Sequence, residues 1–348
     1  MSQTEKEVLG GGAGLAGAVA IESGTELGEI PVKARGYWEQ VWRRFKRDKI
    51  AIAGGITIIL LLFGAFFGAP IAQAILGHGP NDLYYTALTP TGQPIGPWSH
   101  VDDPLHPGHQ VFLILGADST LGRDEFLRLL YGAQVSFEVA IFACLGSMSI
   151  GVLLGSVAGY FRGWVDTVVS RVTEITMAFP ALLFIIALAS TIGDSLNNIT
   201  FHGIFGRGVV NLVLILSLFG WFYPARIMRA VVLSLREKEF VEAARMTGAS
   251  DGRIIRSHII PHLVAPIIVY STLSIASFII AEAGLSYLGV GIKLPTASWG
   301  NLLQQASDYY TTQPWLMVWP GLAVLLTTLA FNLLGDGLRD AFDPRATH

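Results

Sequence analysis

Five side chains able to bind a transition metal crowd one short segment: His100, Asp102, Asp103, His106 and His109. Imidazole and carboxylate suit such ions, but the prolines and glycines between them describe a solvated loop, and no metal site is expected. Three further carboxylates, Glu138, Glu174 and Glu282, stand inside or at the edge of apolar stretches. An ionisable group within a bilayer costs at least about 2.5–3.5 kcal/mol and normally turns toward protein or water. Glu138 lies near the start of its apolar run and is expected to reach the interface. Glu174 follows Arg171 by three residues, which puts both on one helix face and predicts a local ion pair, with an interhelical or translocation-path place as the alternative. Glu282 has no partner near it in sequence, so interhelical packing and a place on a translocation path both stay open.

No string supplies bond chemistry. A phosphate cradle needs GxxxxGK[ST], whose backbone amides and lysine hold the phosphates, and the glycines near Gly10 are followed by no such lysine. CxxC, HExxH and nucleophile-elbow patterns are also missing. The single cysteine, Cys144, sits in an apolar run and reads as a small buried hydrophobe. The chain is therefore read as neither an enzyme nor the holder of a cofactor. Work against a gradient would need ATP bound by another chain.

The segment 237–262 is different in kind. Helix formers fill 237–246, and Gly248 permits the positive φ that ends a helix. A second short helix is expected over 250–259, closed off by Pro261. A helix–glycine–helix hairpin is a compact protrusion suited to docking in a groove.

The elements that hold these residues follow from composition. Of 348 residues, 52% are hydrophobic and 14% charged, with a mean hydropathy of +0.52. Soluble domains carry about 25% charged residues, so the chain is an all-α membrane protein. A net charge of −3 gives no reason to expect a nucleic-acid partner. Six stretches reach the roughly 20 apolar residues that cross a bilayer: 50–76, 134–161, 165–192, 209–232, 263–285 and 315–334. Neither an internal repeat nor a helix broken near its middle is visible, which makes a self-sufficient secondary transporter the weaker alternative. An intramembrane enzyme would need paired catalytic groups at matching depth, and none is evident.

Basic residues orient the spans. With the N-terminus inside, only Arg123, Arg128, Arg207 and Lys293 of the 23 Lys and Arg face out. Both termini are then cytoplasmic. Residues 1–34, with an acidic start and a weakly apolar Gly/Ala tract, read as a flexible cytoplasmic tail and not as a secretory signal. In 35–49, Trp38, Val41, Trp42 and Phe45 recur at helical spacing opposite Arg43, Arg44, Lys46, Arg47 and Lys49. That suits a basic amphipathic helix on the anionic inner leaflet, or else a basic flank that only sets topology. Residues 77–133 form a long extracytoplasmic loop, extended or irregular because Pro and Gly punctuate it. Residues 134–336 form a five-helix core, and 337–348 a cytoplasmic tail.

The residues around the hairpin carry a family pattern. The spacing E-A-A-x3-G-x12-P, from Glu242 through Gly248 to Pro261, resembles the EAA loop of ATP-binding-cassette importer permeases. The ending Arg256 to Pro261, RSHIIP, is similar to the R-x-H-I-L-P of the dipeptide, oligopeptide and nickel branch, and points to its C-type subunit. LGAD and LGRD (115–118 and 121–124), LYGA (130–133), AGY (158–160), EAGLSYLGVG (282–291), PTASWG (295–300) and LGDGLRDAFDPR (334–345) fit in the same order. Two departures stand out: an apparent insertion between Pro80 and Leu115, and the Gly-rich N-terminal tail.

The resemblance implies a type I importer permease fold with six transmembrane helices. It also implies a complex with a second permease, two ATPase subunits that bind ATP and Mg, and an extracytoplasmic solute-binding protein. Glu239, Glu242, Ala243, Ala244, Gly248, Ala249, Ser250, Arg253, His258 and Pro261 would couple this subunit to an ATPase. Peptide is the expected solute, with nickel complexes or oligosaccharides as the branch's other cargoes. The place implied is the cell's inner or cytoplasmic membrane, which the chain crosses several times.

Overall fold

A computed structural model describes residues 36–104, 106, 108–196 and 205–343. The tail 1–34 and the last five residues of the segment 337–348 lie outside these. The chain divides into Met1–Gln40 and Val41–His348. Helix α1, Tyr37–Phe45, straddles the division. It carries exposed Tyr37 and Trp38, then exposed Trp42 stacked on Phe45 with Lys46 Nζ 5.2 Å from the Trp42 ring centre.

Among the described residues, four helices are long and apolar enough to cross a membrane: α2 (Lys49–Leu76), α3 (Glu125–Phe161), α9 (Asp251–Tyr287) and α11 (Trp315–Phe342). Asp48 caps α2 by accepting from the amides of Ile50 and Ala51 at 2.9 and 3.0 Å. Two bent pairs pass the same test when each is taken as one span: α4 (Gly163–Ala178) with α5 (Ala181–Leu196), and α6 (Val209–Gly220) with α7 (Phe222–Leu235). The first pair is bent by 87° and the second by 41°. The expected unbroken third and fourth spans are therefore corrected, and proline explains both breaks. Pro180 pushes Phe179 out of the helical region (ψ 141°), and Pro224 cannot donate to the carbonyl of Gly220.

The described residues of 77–124 are more regular than the expected irregular loop. Strands β1 (Ser99–Asp102) and β2 (Gln110–Leu113) form an antiparallel hairpin, with Val101 opposite Val111. Tyr84, Ala87, Val101, Val111, Leu113 and Ala117 close a small core beneath it. The alternation in Gln-Val-Phe-Leu buries every second residue, the strand period that a proline count conceals. In this hairpin His106 Nδ1 pairs with Asp103 Oδ2 at 2.8 Å, and among the described residues no three metal-ligating side chains converge. Helix α3 begins at Glu125, nine residues before the expected 134, because Asp124 caps it and its first turns bury charged groups.

Helix α3 is the axis of the fold. Its 37 residues, about 55 Å, pack along α7, α6 and α9. Gly151, Gly155 and Gly159 recur every fourth residue on the side facing α7. A Cβ on Gly155 would lie 2.5 Å from the Ala225 carbonyl oxygen and 3.0 Å from Met228 Cβ. One on Gly159 would lie 2.8 Å from the Arg229 carbonyl oxygen. The stripe lets two backbones meet closely in a setting where dispersion, and not exclusion of water, holds helices together. On the outside, Ile56, Ile59, Leu60 and Phe63 of α2 and Leu322, Leu325, Leu326 and Leu329 of α11 are exposed, as a face toward lipid requires.

Candidate functional site

The hairpin caps the end of the bundle where α3 finishes. Residues 236–238 lead out of α7 into α8, Glu239–Met246. Helical spacing sends Val241 and Ala244 inward and leaves Glu239, Glu242, Ala243, Arg245 and Met246 exposed. Glu239 and Glu242 in the first turn and Arg245 in the last suit the helix dipole. The helix ends in a Schellman motif: the Gly248 amide donates to the Arg245 carbonyl at 2.9 Å, and the Ala249 amide to Ala244 at 3.0 Å. Gly248 holds φ +80°, and Ala249 packs back toward Ala244. Ser250, extended, opens α9, whose first residues Asp251, Gly252 and Arg253 are exposed while Ile254 is fully buried.

Pro261 does not close the second arm. It is exposed and lies early in a helix that continues unbroken to Tyr287. The turns before it, Ile254–Ile259, are wound as a π-helix, in which the Ile260 amide donates five residues back to Ile255. That wider winding accommodates a ring lacking an N–H. His258, in the widened stretch, is half-buried. The hairpin's second arm is thus the root of a membrane span and not a separate helix.

The inner face of the hairpin is part of the bundle's own core. Val241, Ala244, Ile254 and Ile259 pack with Met148 and Tyr160 of α3, Met228 and Val232 of α7, and Leu263. This corrects one expectation: Ala244, placed with Ala243 on the docking face, points inward, and its small size serves contact within the subunit. Glu239, Glu242, Ala243, Ser250 and Arg253 remain on the outer side. Arg236, Glu237, Glu242, Arg245 and Met246 line an open crevice of about 450 Å³ beside α8.

Glu174 pairs with Arg171 at 2.8 Å, as the three-residue spacing predicts, and both are exposed. Glu282 is fully buried and bridges helices: it accepts from Ser136 Oγ of α3 at 2.7 Å and from Ser286 Oγ at 2.8 Å. Beside it α10, Trp299–Ala306, presses so closely that a Cβ on Gly300 would lie 2.5 Å from the Ala283 carbonyl oxygen. These surroundings are those of an interhelical contact. Glu138 is deeper than expected, because α3 starts earlier; half-buried, it accepts from Gln134 at 3.1 Å and lines a crevice of about 270 Å³ with Tyr131 and Asn81.

At the other end of α3 lies a site that reading the sequence for chemistry missed. LGAD and LGRD bring Asp118, Arg123, Asp124, Glu125 and Arg128 together, all buried. Asp118 Oδ2 lies 2.6 Å from Arg123 Nη2 and 2.9 Å from Arg128 Nε. Arg123 also donates to Gln305 at 2.6 Å, and Arg128 to Asn81 at 2.9 Å. The cluster ties the β-hairpin end to α10 and to the start of α3. Removing one partner of a buried pair costs about 3–5 kcal/mol. The spacing of acid and base in the two strings was visible, but only the fold shows that all five are dry.

His78 joins this cluster through Nε2, 2.8 Å from Asp124 Oδ2. Burial alone would lower its pKa, but the hydrogen bond and charge of Asp124, the Leu76 carbonyl and Asp82 together hold it above the ordinary 6.5. A raised folded-state pKa makes its contribution to stability complete below the unfolded value and lost as pH rises through the folded value. Hydrogen exchange of residues 77–125, corrected for intrinsic rates, should therefore show weaker protection at about pH 9 than at about pH 6. His78→Gln should flatten that difference, and equal protection at both pH values in the unaltered chain would refute the assignment.

Residues 151–348 match the family model described as binding-protein-dependent transport system inner membrane component. Residues 36–90 match the N-terminal TM domain of oligopeptide transport permease C. The dipeptide transport system permease protein DppC of Alkalihalophilus pseudofirmus is 35% identical over 88% of this chain and 90% of its own length. Glutathione transport system permease proteins GsiD are similar too. That of Pectobacterium atrosepticum is 35% identical over 92% of this chain and 96% of its own, and that of Escherichia coli O157:H7 37% over 90% and 93%. The chain belongs to the binding-protein-dependent transport system inner membrane component family, as a multi-pass C-type permease subunit of an ATP-binding-cassette importer.

Proposed function

We propose that this subunit forms, with a second permease, a translocation path for peptides, and that the hairpin of α8 and the first turns of α9 is the seat of an ATPase subunit on the cytoplasmic side. One observation carries the second part: the hairpin's inner face belongs to the core of the spans while Glu239, Glu242, Ala243, Ser250 and Arg253 stay exposed. A partner gripping that outer face would move α7, α9 and α3 with it. The two ATPases bind ATP and Mg, and this chain contributes no nucleotide site. An extracytoplasmic binding protein delivers the solute to the end carrying the β-hairpin. The basic residues support the orientation, since Arg236, Lys238, Arg245, Arg253 and Arg256 cluster at the α8 end. Peptide as solute is supported by the relatives, which are named for dipeptide and for glutathione, itself a peptide.

Single cysteines introduced after Cys144→Ser test this reading. In intact cells a membrane-impermeant maleimide should label Ser99→Cys and not Ser250→Cys. In inverted vesicles Ser250→Cys should react, and far more slowly when the ATPase subunits are bound. Labelling of Ser250→Cys from outside, or no shielding by the ATPases, would overturn it.

A further inference from the structure

We propose that Tyr160 is a positioning residue for energy coupling, tying the hairpin to the end of α3 so that displacement of the hairpin is delivered to that helix. This rests on the reading of the hairpin as an ATPase seat and goes beyond it by naming the link. Tyr160 stands in the last turn of α3 and is 3% exposed. Its hydroxyl donates to Asp251 Oδ1 at 2.6 Å, at the start of the hairpin's second arm. Its ring faces the guanidinium of Arg245 from the first arm, 5.3 Å from the ring centre, and that of Arg236 at 5.8 Å. Arg236 Nη1 also donates to the Tyr160 carbonyl. One side chain of a membrane span thus engages both arms of the hairpin and the segment that leads into it.

The chemistry is directional where the rest of the contact is not. Val241, Ala244, Ile254 and Ile259 meet the spans through apolar surface, which tolerates sliding. A phenol hydrogen-bonded to a carboxylate and flanked by two cations fixes one geometry. Asp251 is exposed and sits beside the outer face, among Ser250 and Arg253. A partner seated there acts within one residue of the link. Gly159, adjacent to Tyr160, lies against α7, so α3 and α7 receive the displacement together.

The test uses the whole complex reconstituted in lipid, with the loaded binding protein and with dialanine or glutathione as probe, whichever the wild type takes up. Tyr160→Phe keeps the ring and removes the donor. It should lower uptake and the stimulation of ATPase by the loaded binding protein by roughly fivefold, with subunit amount, melting temperature and basal ATPase unchanged. Asp251→Ala should lower the stimulation to the same degree, Asp251→Asn, which still accepts, should restore most of it, and Tyr160→Phe with Asp251→Ala should be no worse than Asp251→Ala alone. Additive losses, or losses that only track subunit amount or melting temperature, would overturn the proposal. Gly248→Val runs in parallel. If it uncouples while Tyr160→Phe retains full stimulation, the link is wrong and the docking seat stands. If Gly248→Val is fully coupled, the seat itself fails.

Discussion

Gly248→Val should leave the subunit inserted and paired with its partner permease, and should cut uptake and binding-protein-stimulated ATPase activity by about an order of magnitude. The residue holds φ +80° at the position that turns the first arm of the hairpin into the second. Nothing lies within 4 Å of where a Cβ would stand, so the effect is conformational and not a clash. A left-handed backbone costs an L-residue about 1–2 kcal/mol, and a β-branched one is a genuine outlier there. The relief is to swing Ser250 and Arg253 away from Glu239, Glu242 and Ala243. At about 1.4 kcal/mol per tenfold, that strain weakens docking by roughly five- to thirtyfold. Ala243→Trp should reproduce the defect from the exposed side without lowering the melting temperature, whereas Ala244→Trp should lower it, because Ala244 is buried against the spans. The measurement is uptake and stimulated ATPase of the reconstituted complex. Normal values for Gly248→Val would make the hairpin a passive connector.

Gly155→Leu should have the largest effect on the subunit itself: little of it accumulates in the membrane, and what does melts well below the wild type. Its Cβ would stand 2.5 Å from the Ala225 carbonyl oxygen and 3.1 Å from Ala225 Cα. Both are backbone, so no rotamer change accommodates it, and α3 and α7 must part. Overpacking of this kind costs about 1–3 kcal/mol or more, and parting the helices also forfeits the contacts of Gly151 and Gly159 along the same stripe. Gly284→Ala is the control, since Gly284 is exposed on α9 with no atom within 4 Å of an added Cβ. It should be neutral or slightly stabilising, as alanine favours helix by about 1 kcal/mol over glycine. Membrane abundance and melting of the purified subunit decide it. Equal behaviour of the two variants would show that the stripe is not a close helix contact.

The membrane class, the apolar stretches and the hairpin were legible because each is local. Hydropathy needs only a window of about 20 residues. The end of α8 needs only a glycine after a run of helix formers. The pair between Arg171 and Glu174 needs only a helix. The family strings were legible as a pattern in order, and they carry the membership that the comparisons establish. The early start of α3 was not legible. An apolar threshold rejects Glu125 and Arg128, and it takes the fold to show that Asp118 lies 2.9 Å from Arg128 Nε. The broken third and fourth spans were half legible: Pro180 and Pro224 were in plain view, but the 87° and 41° bends depend on what each half packs against.

Taken by itself, the order of residues determined which segments are apolar enough to enter the bilayer, where the turning glycine of the hairpin falls, and which family pattern runs through the chain. Only the tertiary structure decided direction and partnership. It turned Ala244 inward beside its exposed neighbour Ala243, carried Pro261 into a continuous helix through a π turn, and set Glu282 between Ser136 and Ser286. It also joined Tyr160 to Asp251, 91 residues away. The division has one physical reason. Hydropathy and turn propensity are sums over neighbours in the chain, whereas burial, hydrogen-bond acceptance and ion pairing belong to groups that meet only after the helices have packed.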